Sequence, residues 1–189
     1  MYCVIISSTT LAQVNINKVS FDLGYTNNYQ REFGNSKLFA LSPEFKIGGN
    51  LIKEHFEWDV LFSFWNDGVD KPFQIRDATT YSYSSQIIGL RLNYFPKKII
   101  IPIHFISGLS SRFIQEKYVG GTDFTGMFRE DNSLFLLTFD FGLGLDVRLI
   151  QRFRIRIDGL VSLPFNKHNV LYAKGWSNSL KLGLDYFIK

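Results

Sequence analysis

The feature that most constrains this chain is an apolar side chain at every second position over long stretches. The clearest stretch covers 135–147, where apolar residues alternate with polar or small ones: Phe135, Leu137, Phe139, Phe141, Leu143, Leu145 and Val147. Successive side chains of a β-strand point to opposite faces, so this period of two predicts a strand with one apolar and one polar face. Similar stretches begin at Val19, Phe56, Phe153 and Leu180. The chain is therefore predicted to be all-β.

Eight such segments can be placed along the sequence. They cover 18–29, 37–48, 54–66, 80–95, 99–114, 133–148, 152–164 and 176–188. Each is long enough to cross a bilayer as a tilted strand, which takes about 9–11 residues. Pro43 in the second segment removes a ladder hydrogen bond, which predicts a bulge there. We find no linker, so 13–189 is predicted to be one domain.

The connections between these segments alternate between long and short. The long ones are 27–36, 66–79, 115–132 and 165–175, and the short ones are 49–53, 96–98 and 150–151. Short periplasmic turns and longer outer loops are typical of transmembrane barrels. An even number of strands also places both termini on the periplasmic side. We therefore predict an eight-stranded antiparallel up-and-down transmembrane β-barrel.

The two faces of the strands differ in a way that favours lipid outside and charge inside. The polar face carries glycines and charges of both signs, which suits the narrow interior of an eight-stranded barrel. The apolar face carries aromatics near strand ends, as in the interfacial girdles of membrane barrels. The candidate girdle residues are Tyr25, Tyr29, Trp58, Trp65, Tyr81, Tyr83, Tyr94, Phe95, Phe153, Trp176 and Tyr186. The alternative is a soluble lipocalin-like binding barrel, whose apolar face would point inward.

The first twelve residues, MYCVIISSTTLA, are uncharged and end in small side chains. This pattern is typical of the end of a cleaved signal peptide. We therefore predict that 1–12 is a partial signal peptide, with a first-strand extension as the alternative. Cleavage would remove Cys3, the sole cysteine, and the exported chain would need no disulfide.

Four features of the chain together indicate a family: the strand pattern, the alternation of loop lengths, the signal-like start and the aromatic final strand, Leu180-Lys-Leu-Gly-Leu-Asp-Tyr-Phe-Ile-Lys189. In these features the chain resembles bacterial outer-membrane β-barrels of the OmpA/OmpX type. It departs from their usual ending because it finishes on Lys189, two positions after Phe187. The resemblance implies a Gram-negative outer membrane and exposure at the cell surface. It also implies contact with outer-membrane lipids or lipopolysaccharide and with the barrel-assembly machinery.

The histidines do not form a recognisable catalytic group. His104 is predicted to point into the lumen, and Ser107, three residues on, to point to the opposite face, so they cannot form a nucleophile–base pair. His55 and His168 share no cluster that could hold a metal. The net charge is only +4, and the lysines and arginines are interleaved with acidic residues rather than clustered. This pattern disfavours nucleic-acid binding. We predict a non-enzymatic chain without a cofactor, with a lipid A-modifying enzyme as the alternative.

Two groups of residues are candidates for function. The first is a lumen charge network of Arg91, Asp140, Asp146, Arg148, Arg154, Arg156 and Asp158. In so narrow a barrel we predict that it plugs the lumen, with a charge-lined conduit as the alternative. The second is a set of extracellular loop contacts, Tyr118, Phe124, Phe128 and Arg129. These loops predict a structural, adhesive or partner-binding role, with an accessory barrel of a secretion or motility machine as the alternative.

Overall fold

A computed structural model describes residues 16–30, 38–52, 55–66, 73–74, 80–96, 102–120, 131–165 and 173–188. These residues form eight long strands: β1 (Lys18–Gln30), β2 (Leu38–Ile52), β3 (Phe56–Asn66), β4 (Thr80–Tyr94), β5 (Ile103–Gly120), β6 (Asn132–Ile150), β7 (Phe153–Pro164) and β8 (Ala173–Phe187). A two-residue strand, Phe73–Gln74, pairs with the start of β4. Within these ranges no helix is long and apolar enough to cross a membrane. The predicted signal peptide, 1–12, lies outside the described residues.

The eight long strands close into a barrel. Each strand is antiparallel to the next one in sequence, and β1 pairs with β8, from Lys18↔Phe187 onward. The predicted fold class is therefore confirmed: the protein is a closed, eight-stranded, antiparallel up-and-down β-barrel. Closure satisfies the backbone hydrogen-bonding groups that an open sheet leaves unpaired at its edges.

The two ends of the barrel differ in their connections. The β6–β7 turn, 151–152, lies at the same end as the start of β1 and the end of β8, and we call this the short-turn end. At the opposite end the strands are joined through 31–37, 67–79, 121–131 and 165–172. We call this the long-loop end.

Two details of the strands differ from the sequence-based prediction. β5 begins at Ile103, directly after Pro102, which has no N–H to donate to a ladder. The predicted first residues of this segment, 99–101, lie outside the described residues. The strand then continues to Gly120, past the predicted end at 114. The predicted bulge at Pro43 is also wrong, because the register of β1 with β2 runs unbroken through Leu23↔Pro43. The described pairing of β2 with β3 ends at Glu44↔Ser63, next to Pro43, although β3 continues to Asn66. This fits the prediction that the proline donates no ladder hydrogen bond at this position.

Apolar and polar side chains alternate along each strand between the outer face and the lumen face of the barrel, as predicted. Large apolar side chains cover the outside, where Leu180 is 63% exposed and Ile88 and Phe135 are each 59% exposed. Side chains of the opposite parity are buried in the lumen, and most of them are polar or charged. This polarity is the reverse of a soluble barrel and matches that of transmembrane barrels.

Aromatic rings gather on the outer surface near the short-turn end. Phe56 packs against Tyr94 with tilted rings at a centroid distance of 4.9 Å, and Phe153 packs against Tyr186 in the same way at 5.2 Å.

The girdle prediction is wrong for Phe95, whose ring stacks on the buried His104 in the lumen. It is also wrong for Trp65 and Tyr83, which are buried in the lumen with their rings 4.6 Å apart. Both share their strand face with the lumen-facing residues around them, so the parity of the strand, not the aromatic character, decides where they point.

Candidate functional site

The lumen is the most highly charged region of the described protein. Its buried cations are Lys18, Lys46, Arg91, Arg112, Arg154, Arg156 and Lys181, and its buried anions are Asp22, Glu44, Glu57, Asp59, Asp140, Asp158 and Asp185. The two signs are therefore equal in number among these fully buried groups. Because a buried charge is costly unless it is paired, this equality is the first requirement for such an interior.

Glu44 is the centre of the middle part of the network. Its Oε1 accepts from Arg91 Nη1 at 2.6 Å, and its Oε2 accepts from Lys181 Nζ at 2.5 Å. Lys46 Nζ lies 3.1 Å from Oε1. Arg91 also reaches Asp140 at 3.2 Å. One carboxylate thus joins cations from β2, β4 and β8.

A second cluster lies nearer the short-turn end and is built on two arginines. Arg154 makes a two-pronged contact with Glu57, at 2.8 and 2.6 Å, and also donates to Asp185 at 2.7 Å. Arg156 bridges Asp22 at 3.2 Å and Asp185 at 3.1 Å. Paired guanidinium–carboxylate contacts fix orientation as well as charge, so these residues hold β1, β3, β7 and β8 together.

Two phenylalanine rings cover the lumen at the short-turn end. The Arg154 guanidinium lies 5.0 Å from the ring centroid of Phe95 and 5.1 Å from that of Phe187. A guanidinium within about 6 Å of an aromatic face gains a favourable electrostatic contact. The rings therefore cover the charged layer and also bind one of its arginines.

Glycines provide the space that these long side chains need. A Cβ at Gly183 would lie 3.0 Å from Cγ of Asp22 and 3.5 Å from Arg156 Nη2. A Cβ at Gly144 would collide with the His104 ring. The predicted combination of small residues and long charged residues is what fills this interior.

A belt of small hydroxyl side chains lies on the long-loop side of the charged layer. Each strand contributes one buried member: Thr26, Ser42, Ser63, Ser85, Ser110, Thr138, Ser162 and Ser177. Neighbouring members pair across strands, with Thr26 and Ser42 oxygens 2.6 Å apart and Ser110 and Thr138 oxygens 2.7 Å apart. Among the described charged groups of the lumen, Arg112 alone lies beyond this belt, and its Nη2 donates to Ser177 at 2.9 Å. The described ion pairs of the lumen thus lie on the short-turn side of the belt.

The predicted charge network is largely placed in this lumen. Arg91, Asp140, Arg154, Arg156 and Asp158 are buried and paired there. Asp146 lies at the short-turn end with its side chain 17% exposed.

The prediction that Arg148 belongs to the lumen network is wrong. Arg148 is exposed, and its guanidinium lies 5.6 Å from the Phe187 ring centroid. Its strand face is the lumen face, but it is located where β6 has already passed the end of the lumen. Position along the strand, not parity, excludes it.

The seven predicted residues omitted most of the network. Lys18, Asp22, Glu44, Lys46, Glu57, Asp59, Arg112, Lys181 and Asp185 are also buried in the lumen. Seven of these nine residues, all except Lys18 and Arg112, lie on the polar face that the alternation predicts to line the lumen. The period of two therefore predicts their face but not their membership of the network.

The predicted loop contacts lie largely outside the described part of the chain. Tyr118 belongs to β5 and pairs in register with Tyr81, so its backbone is in a strand and not in a loop. Phe124, Phe128 and Arg129 lie outside the described residues. Their role stays a prediction.

The described residues show no arrangement that resembles a catalytic site. His104 is buried in the lumen and Ser107 is exposed on the outer face, so the prediction that they point to opposite faces is confirmed. In the described ranges no group of three or more histidine, cysteine or acidic side chains could hold a metal ion. The chemistry that the lumen does show is ion pairing and hydrogen bonding between its own walls.

Comparison with known proteins gives matches in fold but none in sequence. No protein-family model and no curated protein sequence matches the chain. The chain is similar to the crystal structure of Neisserial surface protein A, with 10% identity over 89% of this chain and 95% of that one and a TM-score of 0.53.

Two further structures show the same likeness. Ail, the attachment invasion locus protein of Yersinia pestis, solved with the heparin analogue sucrose octasulfate, is 11% identical over 92% of this chain and 100% of that chain, with a TM-score of 0.55. A major outer membrane protein from Thermus thermophilus is 14% identical over 90% of this chain and 99% of that one, also with a TM-score of 0.55. At such identities the likeness shows the fold: an eight-stranded barrel of the outer-membrane type.

We predict that Glu44→Gln lowers the free energy of unfolding by about 3–5 kcal/mol, the usual cost of breaking a buried ion pair from one side. The measurement is denaturant unfolding of the protein in detergent micelles. Adding Lys181→Met to Glu44→Gln should recover part of the loss, because it removes the cation that the first change leaves without its carboxylate. The exposed Arg152→Gln is the control and should stay within about 0.5 kcal/mol of the wild type. An unchanged stability in Glu44→Gln would contradict the central role of this carboxylate.

Proposed function

We propose that this chain is a non-enzymatic integral protein of a bacterial outer membrane, with a lumen closed by its own charged side chains and with loops that make contacts at the cell surface. The observation that carries the proposal is the reversed polarity of the wall. Large apolar side chains such as Phe45 (52% exposed) and Leu182 (59% exposed) cover the outside, and paired ions fill the inside. A continuous apolar surface of this extent requires a covering partner, and a bilayer fits a closed apolar belt on all sides.

The orientation follows from the two ends. Short turns face the periplasm in barrels of this type and longer loops face outward. The short-turn end, with both termini, is therefore assigned to the periplasm. The longer connections, including 121–131, are assigned to the cell surface.

We predict that arginine on the outer wall destabilises the protein according to its depth in the bilayer. Leu182 lies midway along β8 and Ile150 lies at the short-turn end, and both are about 60% exposed. Leu182→Arg should cost about 2–4 kcal/mol of unfolding free energy and Ile150→Arg at most about 1 kcal/mol. The measurement is denaturant unfolding in phospholipid vesicles, followed by the gel mobility of unboiled samples. In a soluble barrel the two surface arginines would have equal and small effects, and that result would contradict the proposal.

The closed lumen is supported by the covering rings at one end and by the ionic layer behind them. Phe95 and Phe187 lie against Arg154. Ion pairs cross the lumen, and Arg154 on β7 reaches Glu57 on β3, at the opposite wall, at 2.6 Å. An eight-stranded barrel is only wide enough for its own side chains, so no continuous water path is expected.

We therefore predict that the folded protein does not conduct ions across a planar lipid bilayer. Folding would be verified on the same preparation by the faster migration of the unboiled band. A larger barrel that forms an open porin, reconstituted in parallel, is the positive control for insertion. Reproducible unitary current steps from the folded protein would show a conduit and would refute the closed lumen.

The surface role assigned to the loops rests on composition and on the outward side of the barrel. Tyr118, Phe124, Phe128 and Arg129 bring aromatic and cationic groups to one connection, a composition often found where proteins bind partners. Ail, which shares the fold, was solved with a sulfated heparin analogue. A polyanionic surface ligand is a suitable first probe for these groups, and lipopolysaccharide and protein partners are the other candidates.

We predict that replacing Tyr118, Phe124, Phe128 and Arg129 together with alanine weakens binding of sucrose octasulfate at least tenfold while the mobility shift of the barrel is kept. The matched control is Arg152→Ala, which removes a cation at the short-turn end. Calorimetric titration of the purified protein in detergent measures both. Equal binding by the two variants would remove the loop from the proposal.

A further inference from the structure

His104 occupies a closed compartment near the short-turn end of the lumen. It is the second residue of β5 and is fully buried. Its cross-strand partner on β6 is Gly144, which leaves the space that the imidazole ring fills. The ring of Phe95 stacks on it at a centroid distance of 5.0 Å. The ring is therefore fixed in place by packing on two sides.

Each nitrogen of this imidazole faces a different carboxylate. Nδ1 lies 3.5 Å from Asp146 Oδ1, and Nε2 lies 3.2 Å from Asp158 Oδ1. These are ion-pair distances, and neither nitrogen makes a hydrogen bond. A neutral imidazole has one N–H and one lone pair, whereas the protonated ring has two N–H groups. In the neutral form one carboxylate would therefore face a lone pair inside a buried site. Only the protonated form presents a donor to both.

The two carboxylates favour the protonated ring, whereas the cations that share Asp158 act against it. Asp158 is also approached by Arg156 Nη1 at 3.7 Å and by Lys46 Nζ at 3.6 Å. Asp146 Oδ1 lies 3.5 Å from His104 Nδ1, a contact that is an ion pair only when the ring is protonated. Among the described side chains, the fully buried cations and anions of the lumen are equal in number without His104 and Asp146, so Asp146 adds one negative charge that a protonated His104 cancels.

We propose that His104 is held as a structural imidazolium cation that completes the charge balance of the lumen. From the start of β5 it contacts Asp146 on β6 and Asp158 on β7. It also contacts Phe95, which directly follows β4. The histidine thus acts as a permanent ionic latch at the periplasmic end of the barrel. Its role is conformational, and it requires no catalytic partner.

The charge state can be measured directly by ¹⁵N spectroscopy of histidine-labelled protein in micelles at about pH 7.5, one unit above the ~6.5 at which an isolated histidine titrates. Both ring nitrogens of His104 should give the signals of protonated nitrogens. Loss of these signals in His104→Gln identifies them. If that variant does not fold, the variant His55→Gln with His168→Gln leaves His104 as the sole histidine and identifies them instead. One protonated and one unprotonated nitrogen would overturn the proposal.

A stability comparison tests the same state independently. If His104 is a cation, Asp146→Asn removes its counter-ion and should raise the unfolding equilibrium constant at least tenfold. If His104 is neutral, Asp146 is an uncompensated acid and Asp146→Asn should leave the protein equally or more stable. Asp146→Asn introduced into His104→Gln should cost less than in the wild type, because both members of the pair are then neutral. Equal costs in the two backgrounds would argue against the latch.

Discussion

The structure depends on one electrostatic constraint: each charge inside a narrow closed barrel must be neutralised by another charge inside it. The pairs that meet this constraint are far apart in sequence. Arg154 and Glu57 are 97 positions apart, and Arg156 and Asp22 are 134 apart. Backbone ladders join only adjacent strands, whereas these side chains cross the lumen. The ionic layer therefore links strands that share no hydrogen-bonded edge, and it defines the interior in the way that an apolar core defines a soluble domain.

The same constraint explains the order of side chains along the barrel axis. Long charged residues fill the lumen towards the short-turn end, beneath the rings of Phe95 and Phe187. Small hydroxyl groups can pair with one another or with backbone carbonyls and need no counter-ion, and they form the next layer. The stacked rings of Trp65 and Tyr83 lie further along β3 and β4. Arg112 is the one described lumen charge on the loop side of the hydroxyl layer, and it donates to that layer's Ser177.

The fold could be predicted from the sequence because its main signal, the period of two, is local and is repeated in all eight strands. The features that could not be predicted depend on where a residue lies along the barrel axis or on which side chains meet across the lumen. Arg148 has lumen parity but lies beyond the lumen, and no local pattern marks that limit. Trp65 and Tyr83 have lumen parity as well, and aromatic character alone does not separate rings that face lipid from rings that fill the lumen. The partners of Glu44 come from β2, β4 and β8, so they follow only from the barrel register. The loop contacts remain predictions.

Buried ion pairs rarely stabilise a protein more than well-packed apolar residues would, so the charged lumen needs a reason other than stability. Register provides one. A shift of one residue in any strand would turn residues such as Glu44 and Lys46 towards lipid and the neighbouring Phe45 towards the ions. A lysine at the bilayer midplane costs about 2–4 kcal/mol, and the partners left inside would lose their counter-ions at the same time. An apolar lumen would impose no such penalty, because both faces of each strand would then suit lipid. The ionic interior therefore selects one register out of many, at the cost of requiring every charge to find its partner.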